Sequence, residues 1–156
     1  MVTKDTTHDA CSKQLVHIVP QLMRLMRRSI VKADSLMSIA HLRILDFLAR
    51  SPGASLSEVS GELEITNATA SSHIEKLVKR HLVKRVEHPE ERRRIVLTLT
   101  PEGRKRLDLV KNFSTATFAD MLATLTPTKL SRIQEGLSIL EESARQYNEK
   151  SFDSED

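Results

Sequence analysis

The chain has 156 residues, a length typical of a single domain, and 39% of them are hydrophobic, enough to bury a core. Aromatic residues make up only 3%, so the core must be aliphatic, and this favours packed helices over a β-sandwich or barrel. The single cysteine, Cys11, excludes an internal disulfide. No apolar run reaches the ~20 residues of a membrane helix, and no signal peptide is recognisable, so we expect a cytoplasmic protein.

Charge is distributed unevenly along the chain, although the net charge is only +3. The segment from Lys76 to Arg106 contains eleven Lys and Arg against four Glu, whereas residues 149–156 form an acidic tail. A basic block in a nearly neutral chain indicates a polyanionic partner. The alternative is an ordinary solvated face.

Helical spacing of apolar residues begins at Gln14, after a polar segment, residues 1–13, that we expect to be disordered. Pro20 interrupts this spacing, so the pattern predicts either a kinked helix or a helix that restarts there. Ser38 is a favoured N-cap for a second helix, which Ser51-Pro52-Gly53 ends.

A helix-turn-helix is predicted next. Ser55 and Glu58 form a capping box at the start of a short third helix, and Thr66 is the expected N-cap of a fourth. Two helices separated by a few residues, the first of them short, are typical of this motif. The buried side of the fourth helix is predicted to consist of Ala70, Ile74, Leu77 and Val78.

A β-hairpin is predicted after the helix pair. Val83 and Val86 flank two basic residues, and in residues 94–99 Ile95, Leu97 and Leu99 alternate with Arg94, Val96 and Thr98. The connection is charged and basic, which makes the hairpin a wing. Two further helices start at Thr100-Pro101 and Thr126-Pro127, and the last ends near Tyr147.

The predicted fold is therefore mainly α with a small β-hairpin wing. A winged helix-turn-helix DNA-binding lobe spans residues 38–100, and a helical dimerisation region comprises residues 14–37 and 101–148. The major groove of DNA accepts an α-helix that carries short polar side chains, and arginines insert into narrow minor grooves. The candidate DNA-binding residues are Asn67, Thr69, Ser71, Ser72, His73 and Lys76 on the fourth helix and Arg92, Arg93 and Arg94 in the wing.

The sequence resembles the MarR family of bacterial and archaeal regulators. ITNATASSHIEKLVKRHLVKRV is similar to the family's recognition helix and first wing strand, and HPEERRRIVLTLTPEG is similar to its wing, which usually reads D-x-R and ends in L-T-x-x-G. The resemblance implies a two-fold dimer formed by the first and last helices, with Arg93 as the wing arginine. Its pseudo-palindromic duplex site is read by the recognition helices in the major groove and the wings in the minor groove. Two positions depart from the pattern: Glu91 replaces the wing aspartate, and His81 replaces a glycine that we expect to have positive φ.

The resemblance also implies an effector, because members of the family often bind small aromatic acids near the position of His41, and a repressor relieved by such a ligand is the favoured interpretation. One alternative is a winged helix that binds an acidic protein. Another is a redox sensor acting through Cys11, whose thiolate would be favoured in a first helical turn. No cofactor, metal site or catalytic motif is predicted, since the six histidines lack zinc spacing and no nucleophile motif is present.

Overall fold

The computed structural model describes residues 3–87 and 95–152, with side chains for residues 7–87 and 95–149. These residues form six helices and one two-stranded antiparallel sheet, which confirms the predicted fold class. The chain divides into two compact units, Met1–Thr117 and Phe118–Asp156. The elements are α1 (Thr3–Ala33), α2 (Ile39–Arg50), α3 (Leu56–Leu63), α4 (Asn67–Lys79), β1 (Val83–Glu87), β2 (Ile95–Leu99), α5 (Pro101–Leu122) and α6 (Pro127–Phe152).

Three of the helices begin at the N-caps predicted from sequence. Ser38 Oγ accepts a hydrogen bond from the backbone of His41 at 3.2 Å, and Thr66 Oγ1 accepts one from Thr69 at 3.2 Å. In the capping box of α3, the Glu58 N–H donates to Ser55 Oγ at 3.3 Å and the Ser55 N–H donates to Glu58 Oε2 at 2.7 Å. Each cap satisfies amide groups that have no partner inside the helix, and each is worth about 1 kcal/mol.

Two helices are longer than the sequence predicted. The α1 helix is continuous from Thr3 and contains Pro20, so the prediction of a disordered segment up to residue 13 and that of a helix restarting at Pro20 are both corrected. The α6 helix continues past Tyr147 to Phe152, into the predicted acidic tail. The added segments, residues 3–13 and 148–152, contain no glycine or proline that would end a helix. Asp9 also pairs with Lys13 at 2.7 Å across one turn of α1.

The aliphatic core lies in the first unit. Ile44, Leu45, Ile74, Leu77 and Val110 are essentially fully buried in one cluster formed with residues from α1, the hairpin and the rest of the lobe. Ile44 of α2 is completely inaccessible to solvent.

The apolar side chains of α5 are only partly buried, and those of α6 are exposed. On α5, Leu107 is buried, but Phe113 and Met121 are 40% and 45% exposed. The apolar residues of α6 are exposed, including Leu130, Ile133, Leu137 and Leu140. No described helix combines the length and the apolarity that a membrane span requires.

The hairpin has a third short partner that the sequence did not reveal. Strands β1 and β2 pair from Val83 opposite Leu99 to Glu87 opposite Ile95. Ala54, in the α2–α3 loop, forms an isolated antiparallel bridge with Leu97, whose N–H donates to the Ala54 carbonyl at 2.8 Å. The predicted strand is confirmed, but its burial does not follow simple alternation, because Val96 is buried and the terminal Ile95 is 50% exposed.

Candidate nucleic-acid interface

The turn between α3 and α4 is held by backbone geometry and one side-chain contact. Glu64 has left-handed backbone geometry, with φ of 56°, and its N–H donates to the Gly61 carbonyl at 3.0 Å. The Ile65 N–H donates to the Ser60 carbonyl at 3.0 Å, which completes a Schellman motif. Ser60 Oγ then donates to Asn67 Oδ1 at 2.6 Å, so that α3 fixes the first residue of α4.

The exposed face of α4 brings most of the predicted site residues together. Ala70, Ile74 and Leu77 are buried beneath the helix, as the sequence predicted. Asn67, Thr69, Ser72 and Lys76 are exposed, while Ser71 and His73 are partly buried. Hydroxyls, one amide and one ammonium group therefore share a surface that matches the donors and acceptors on base edges.

One exposed residue of this face was missed by the sequence reasoning. Ala68 lies in the first turn of α4 and is exposed. It is one helical turn before Ser72 and two before Lys76, so the three residues lie along one line. A search for hydrogen-bonding side chains overlooks alanine, but its methyl group can contact the methyl group of thymine.

His73 is only partly available to a ligand, because its ring contacts His41 of α2. The ring centroids are 5.1 Å apart and the planes meet edge to face, at 81°. His41 is 7% exposed, and neither of its ring nitrogens has a hydrogen-bond partner among the described residues; the same holds for Nδ1 of His73. The contact joins α4 to α2, which pattern analysis of either helix alone could not reveal.

Burial lowers the pKa of His41 below its ordinary value of 6.5, and the charges of His73, Lys76 and Arg80 act in the same direction. The backbone of Leu36 opposes this shift, although it makes no hydrogen bond of normal geometry with the ring. The folded protein therefore favours a neutral imidazole at this position.

We expect His41 to make the folded state sensitive to acid. Its folded pKa is lower than its unfolded pKa, so its contribution to stability is complete above about pH 6.5 and declines as the pH falls further. The decline is at most about 1.4 kcal/mol per pH unit, the limit for one additional proton in the unfolded state. Urea unfolding of wild type and His41→Phe at about pH 7.5 and pH 5.5 measures it. An equal loss in both proteins would contradict the assignment.

The end of the hairpin is locked to the end of α4 by the L-T-x-x-G segment. Thr100 N–H donates to the Leu82 carbonyl at 3.1 Å, and Thr100 Oγ1 donates to the His81 carbonyl at 2.7 Å while accepting from the Gly103 N–H at 2.9 Å. A Cβ added to Gly103 would lie 2.0 Å from the Leu82 carbonyl oxygen. Thr100 and Gly103 thus have different roles: Thr100 makes the hydrogen bonds of the junction, and Gly103 leaves space for the Leu82 carbonyl.

The three predicted wing arginines, Arg92, Arg93 and Arg94, lie outside the described residues, as does Glu91. The described part of the hairpin nevertheless contributes exposed cations, because Lys84 and Arg85 of β1 face solvent. Together with Lys76 they place positive charge on both α4 and the adjoining strand.

The positions of the candidate metal ligands and of Cys11 bear on two sequence-based interpretations. Among the side chains described for residues 7–87 and 95–149, no three or more His, Cys, Asp or Glu groups form a cluster that could hold a metal ion. Cys11 is exposed, and because α1 begins at Thr3 it lies beyond the first helical turn. The predicted thiolate stabilisation by a first-turn position is therefore corrected.

Comparisons with known proteins agree with this geometry. Residues 37–94 match the sequence profile of the MarR family, and this segment contains the helix pair and β1. The chain has the MarR-family fold. RV1404 from Mycobacterium tuberculosis superposes with a TM-score of 0.79 at 21% identity, covering 87% of this chain and 92% of that one. No curated protein matches the sequence.

Two other solved structures support the same fold. Apo MarR from E. coli has a TM-score of 0.69 at 18% identity, covering 82% of this chain and 95% of that one. FabT from Streptococcus pneumoniae, solved in complex with DNA, has a TM-score of 0.70 at 21% identity, covering 89% of this chain and 98% of that one. At these identities, the likeness concerns the fold and the order of its elements.

His81 follows α4 at the position where the family resemblance predicts a glycine, and its backbone has the expected positive φ, 58°. The His81 N–H donates to the Val78 carbonyl and the Leu82 N–H donates to the Leu77 carbonyl, both at 2.9 Å, which is the Schellman pattern. A non-glycine residue in this conformation carries a steric cost of about 1–2 kcal/mol. The MarR-like cap is therefore retained, with strain, at the end of α4.

His81→Gly is expected to raise the free energy of unfolding by about 0.5–1 kcal/mol. The glycine removes the left-handed strain, and its greater freedom in the unfolded state offsets part of the gain. Thermal or urea unfolding measures the change. Lys79→Gly, in the last turn of α4, is the matched control and should lower stability by about 0.5–1 kcal/mol. A destabilised His81→Gly would mean that the histidine side chain contributes more than its backbone strain costs.

Proposed function

We propose that the protein is a dimeric, sequence-specific regulator of transcription that binds duplex DNA and acts as a repressor relieved by a small ligand. The observation that carries this proposal is the polar, cation-bearing face of α4, presented by a helix pair and joined to a basic hairpin. The MarR-family match over residues 37–94 and the fold shared with FabT, a protein solved with DNA, support the same function.

Dimer formation is proposed from exposed apolar side chains on two helices, considered separately. On α1, Leu15, Ile18, Val19 and Met23 are 36–47% exposed and recur at helical spacing. On α6, Leu130, Ile133, Leu137 and Leu140 repeat the pattern. Contiguous apolar surface of this kind is typical of protein interfaces. Sedimentation at micromolar concentration tests this proposal, and a monomeric mass would contradict it.

The proposed function is tested on defined DNA. Footprinting on the DNA upstream of the protein's own coding sequence should show a protected pseudo-palindrome, with half-sites about one helical turn apart. Mobility shifts on that duplex and on a scrambled duplex then measure specificity. Equal affinity for the two duplexes would mean that the protein is attracted to DNA as a polyanion and does not recognise its sequence. Failure to bind either duplex would favour the alternative, a basic module that binds an acidic protein.

Mutations in the recognition helix and in the wing should have different effects on DNA affinity. Ser72→Ala removes an exposed hydroxyl group from α4, and with it the proposed contact with a base. Binding should therefore weaken by about 1–3 kcal/mol at the preferred site and change little on random DNA. Arg93→Ala should weaken binding to both kinds of DNA, because backbone and minor-groove contacts carry little sequence information. Fluorescence anisotropy on the two duplexes measures this, with Ser138→Ala and Arg132→Ala of α6 as controls. Parallel losses for the two test variants would contradict these roles.

The effector site that we propose is a cavity of about 460 Å³ in the first unit, large enough for a small organic ligand. Its apolar wall includes Ile30, Met37 and Ile39, and Arg27 offers a counter-charge for a carboxylate. His73 of the recognition helix also lines the cavity. A bound aromatic acid would therefore contact a side chain that we also propose for the DNA-binding face of α4.

Benzoate, as a representative small aromatic acid, provides a direct test of this site. It should reduce the mobility shift of the wild type, and Arg27→Gln should bind DNA but respond to benzoate less. Arg132→Gln on α6 is the control for loss of one exposed cation. An unchanged response in Arg27→Gln would remove this cavity from the proposal while leaving DNA binding intact.

A further inference from the structure

A buried carboxylate joins three helices at the end of the recognition helix. Asp34 follows the last residue of α1, and its side chain is only 5% exposed. Its Oδ2 accepts a hydrogen bond from Nη2 of Arg80 and lies 3.6 Å from Nη1 of Arg106 in α5. Its Oδ1 accepts from the Leu36 N–H at 3.0 Å. Arg80 is the C-cap of α4, so the carboxylate reaches the end of the helix that presents the candidate DNA-binding residues.

Two guanidinium groups, those of Arg80 and Arg106, surround the Asp34 carboxylate. Burial acts to raise the pKa of Asp34, but the hydrogen bonds from Arg80 and Leu36 and the charges of Arg80 and Arg106 lower it below its ordinary value of 3.8. The carboxylate is therefore ionised at neutral pH. Arg80 is itself only 23% exposed, so removing its partner would leave a largely buried guanidinium with less compensation.

A further polar contact between α1 and α5 does not involve α4. The hydroxyl groups of Ser29 and Ser114, both buried, lie 2.9 Å apart. The structure therefore contains two separate connections. The Ser29–Ser114 contact joins α1 to α5, whereas the contact of Asp34 with Arg80, which we call the tether, also holds the end of α4.

We propose that Asp34 is a positioning residue that fixes the recognition helix relative to α1 and thereby sets the half-site spacing that the dimer reads. This inference rests on the proposed function, in which α1 contributes to the dimer interface. In a dimer, the distance and angle between the two recognition helices depend on how each α4 is held to the interface. A rigid tether makes the protein intolerant of altered spacing, whereas a loose tether lets α4 adjust.

The experiment measures spacing discrimination rather than affinity alone. A preferred duplex is selected with the wild-type protein, and variants of it carry one base pair inserted or deleted between the half-sites. Each change rotates one half-site by about 34° relative to the other. The wild type should bind the altered duplexes about tenfold or more weakly, an effect comparable to that of one mismatched base pair. Asp34→Asn should discriminate by less than about threefold.

Two further variants make the result decisive. Arg80→Gln removes the other side of the tether and leaves Asp34 with Arg106, so it provides a folded alternative if Asp34→Asn is unstable. Ser114→Ala breaks the buried hydroxyl contact between α1 and α5 but not the tether to α4, so it should lower stability and keep wild-type spacing discrimination.

Folded Asp34→Asn and Arg80→Gln dimers with wild-type discrimination would overturn the inference, and so would an equal loss of discrimination in Ser114→Ala. If the wild type binds no duplex at all, the result contradicts the proposed function itself. If it binds and discriminates but the tether variants do so equally well, only the role of Asp34 fails.

Discussion

The affinity of the protein for duplex DNA is expected to fall by ~10³–10⁵ between about 50 and 200 mM salt, if two subunits together neutralise about 6–10 phosphates. The reason is the release of counterions when lysine and arginine side chains replace them. Lys76, Lys84 and Arg85 are exposed on α4 and β1, and the segment from Lys76 to Arg106 carries eleven cations against four Glu. Anisotropy titrations across a salt series measure the slope.

A matched pair of variants tests whether α4 contributes to this slope. Lys76→Ala should reduce the slope by about 1 for each phosphate that the protein no longer neutralises, which is about 2 per dimer. Lys129→Ala removes an exposed lysine from α6 and should leave the slope unchanged. A flat salt response of the wild type would exclude phosphate binding as the main source of affinity, and equal slopes for the two variants would exclude Lys76 from the interface.

Gly103→Ala is expected to lower the free energy of unfolding by about 1–3 kcal/mol or more. Alanine is usually the better residue in a helix, by about 1 kcal/mol, so the sign of this change depends entirely on the local space. The added Cβ would lie 2.0 Å from the backbone oxygen of Leu82 and 2.7 Å from Cδ1 of Leu99. The carbonyl cannot withdraw without losing its hydrogen bond from the Thr100 N–H.

Gly136→Ala is the control for this prediction, because a Cβ at Gly136 in α6 would meet no atom within 4 Å. That variant should be neutral or more stable by up to about 1 kcal/mol. Urea unfolding of both proteins gives the comparison. If Gly103→Ala is as stable as Gly136→Ala, then the packing of α5 against the end of α4 is looser than its geometry indicates. The Gly103 variant should also bind DNA less tightly, because Leu82 directly follows the His81 cap of α4.

Features that depend on a few neighbouring residues could be predicted from the sequence. Ser38, Ser55 and Thr66 act as N-caps because the interaction needs only a side chain and an amide three residues later. The positive φ of His81 could be predicted from its position at the end of α4 and from the family pattern. Helical periodicity predicts which polar residues of α4 are exposed. Ala68, which is exposed on the same face, was missed because it is not polar.

Features that depend on contacts between distant segments could not be predicted in this way. The contact of His41 with His73 and the joining of Asp34 to Arg80 require the packing of α2 or the end of α1 against α4. Helix ends at Thr3 and Phe152 were also missed, because polar residues without a stop signal are equally compatible with a helix and with an open chain. The roles of the wing arginines and of the exposed apolar faces remain predictions.

The bridge between Ala54 and Leu97 has a consequence for how the lobe folds. A β-hairpin alone forms within microseconds from residues close in sequence, but this bridge closes a chain segment that contains all of α3 and α4. The hairpin therefore gains its third partner only when a loop that contains both helices closes, and the contacts made inside the lobe must offset the entropic cost of that closure. A fragment that ends after α4 would lack this closure, so it should not behave as a smaller version of the winged-helix lobe.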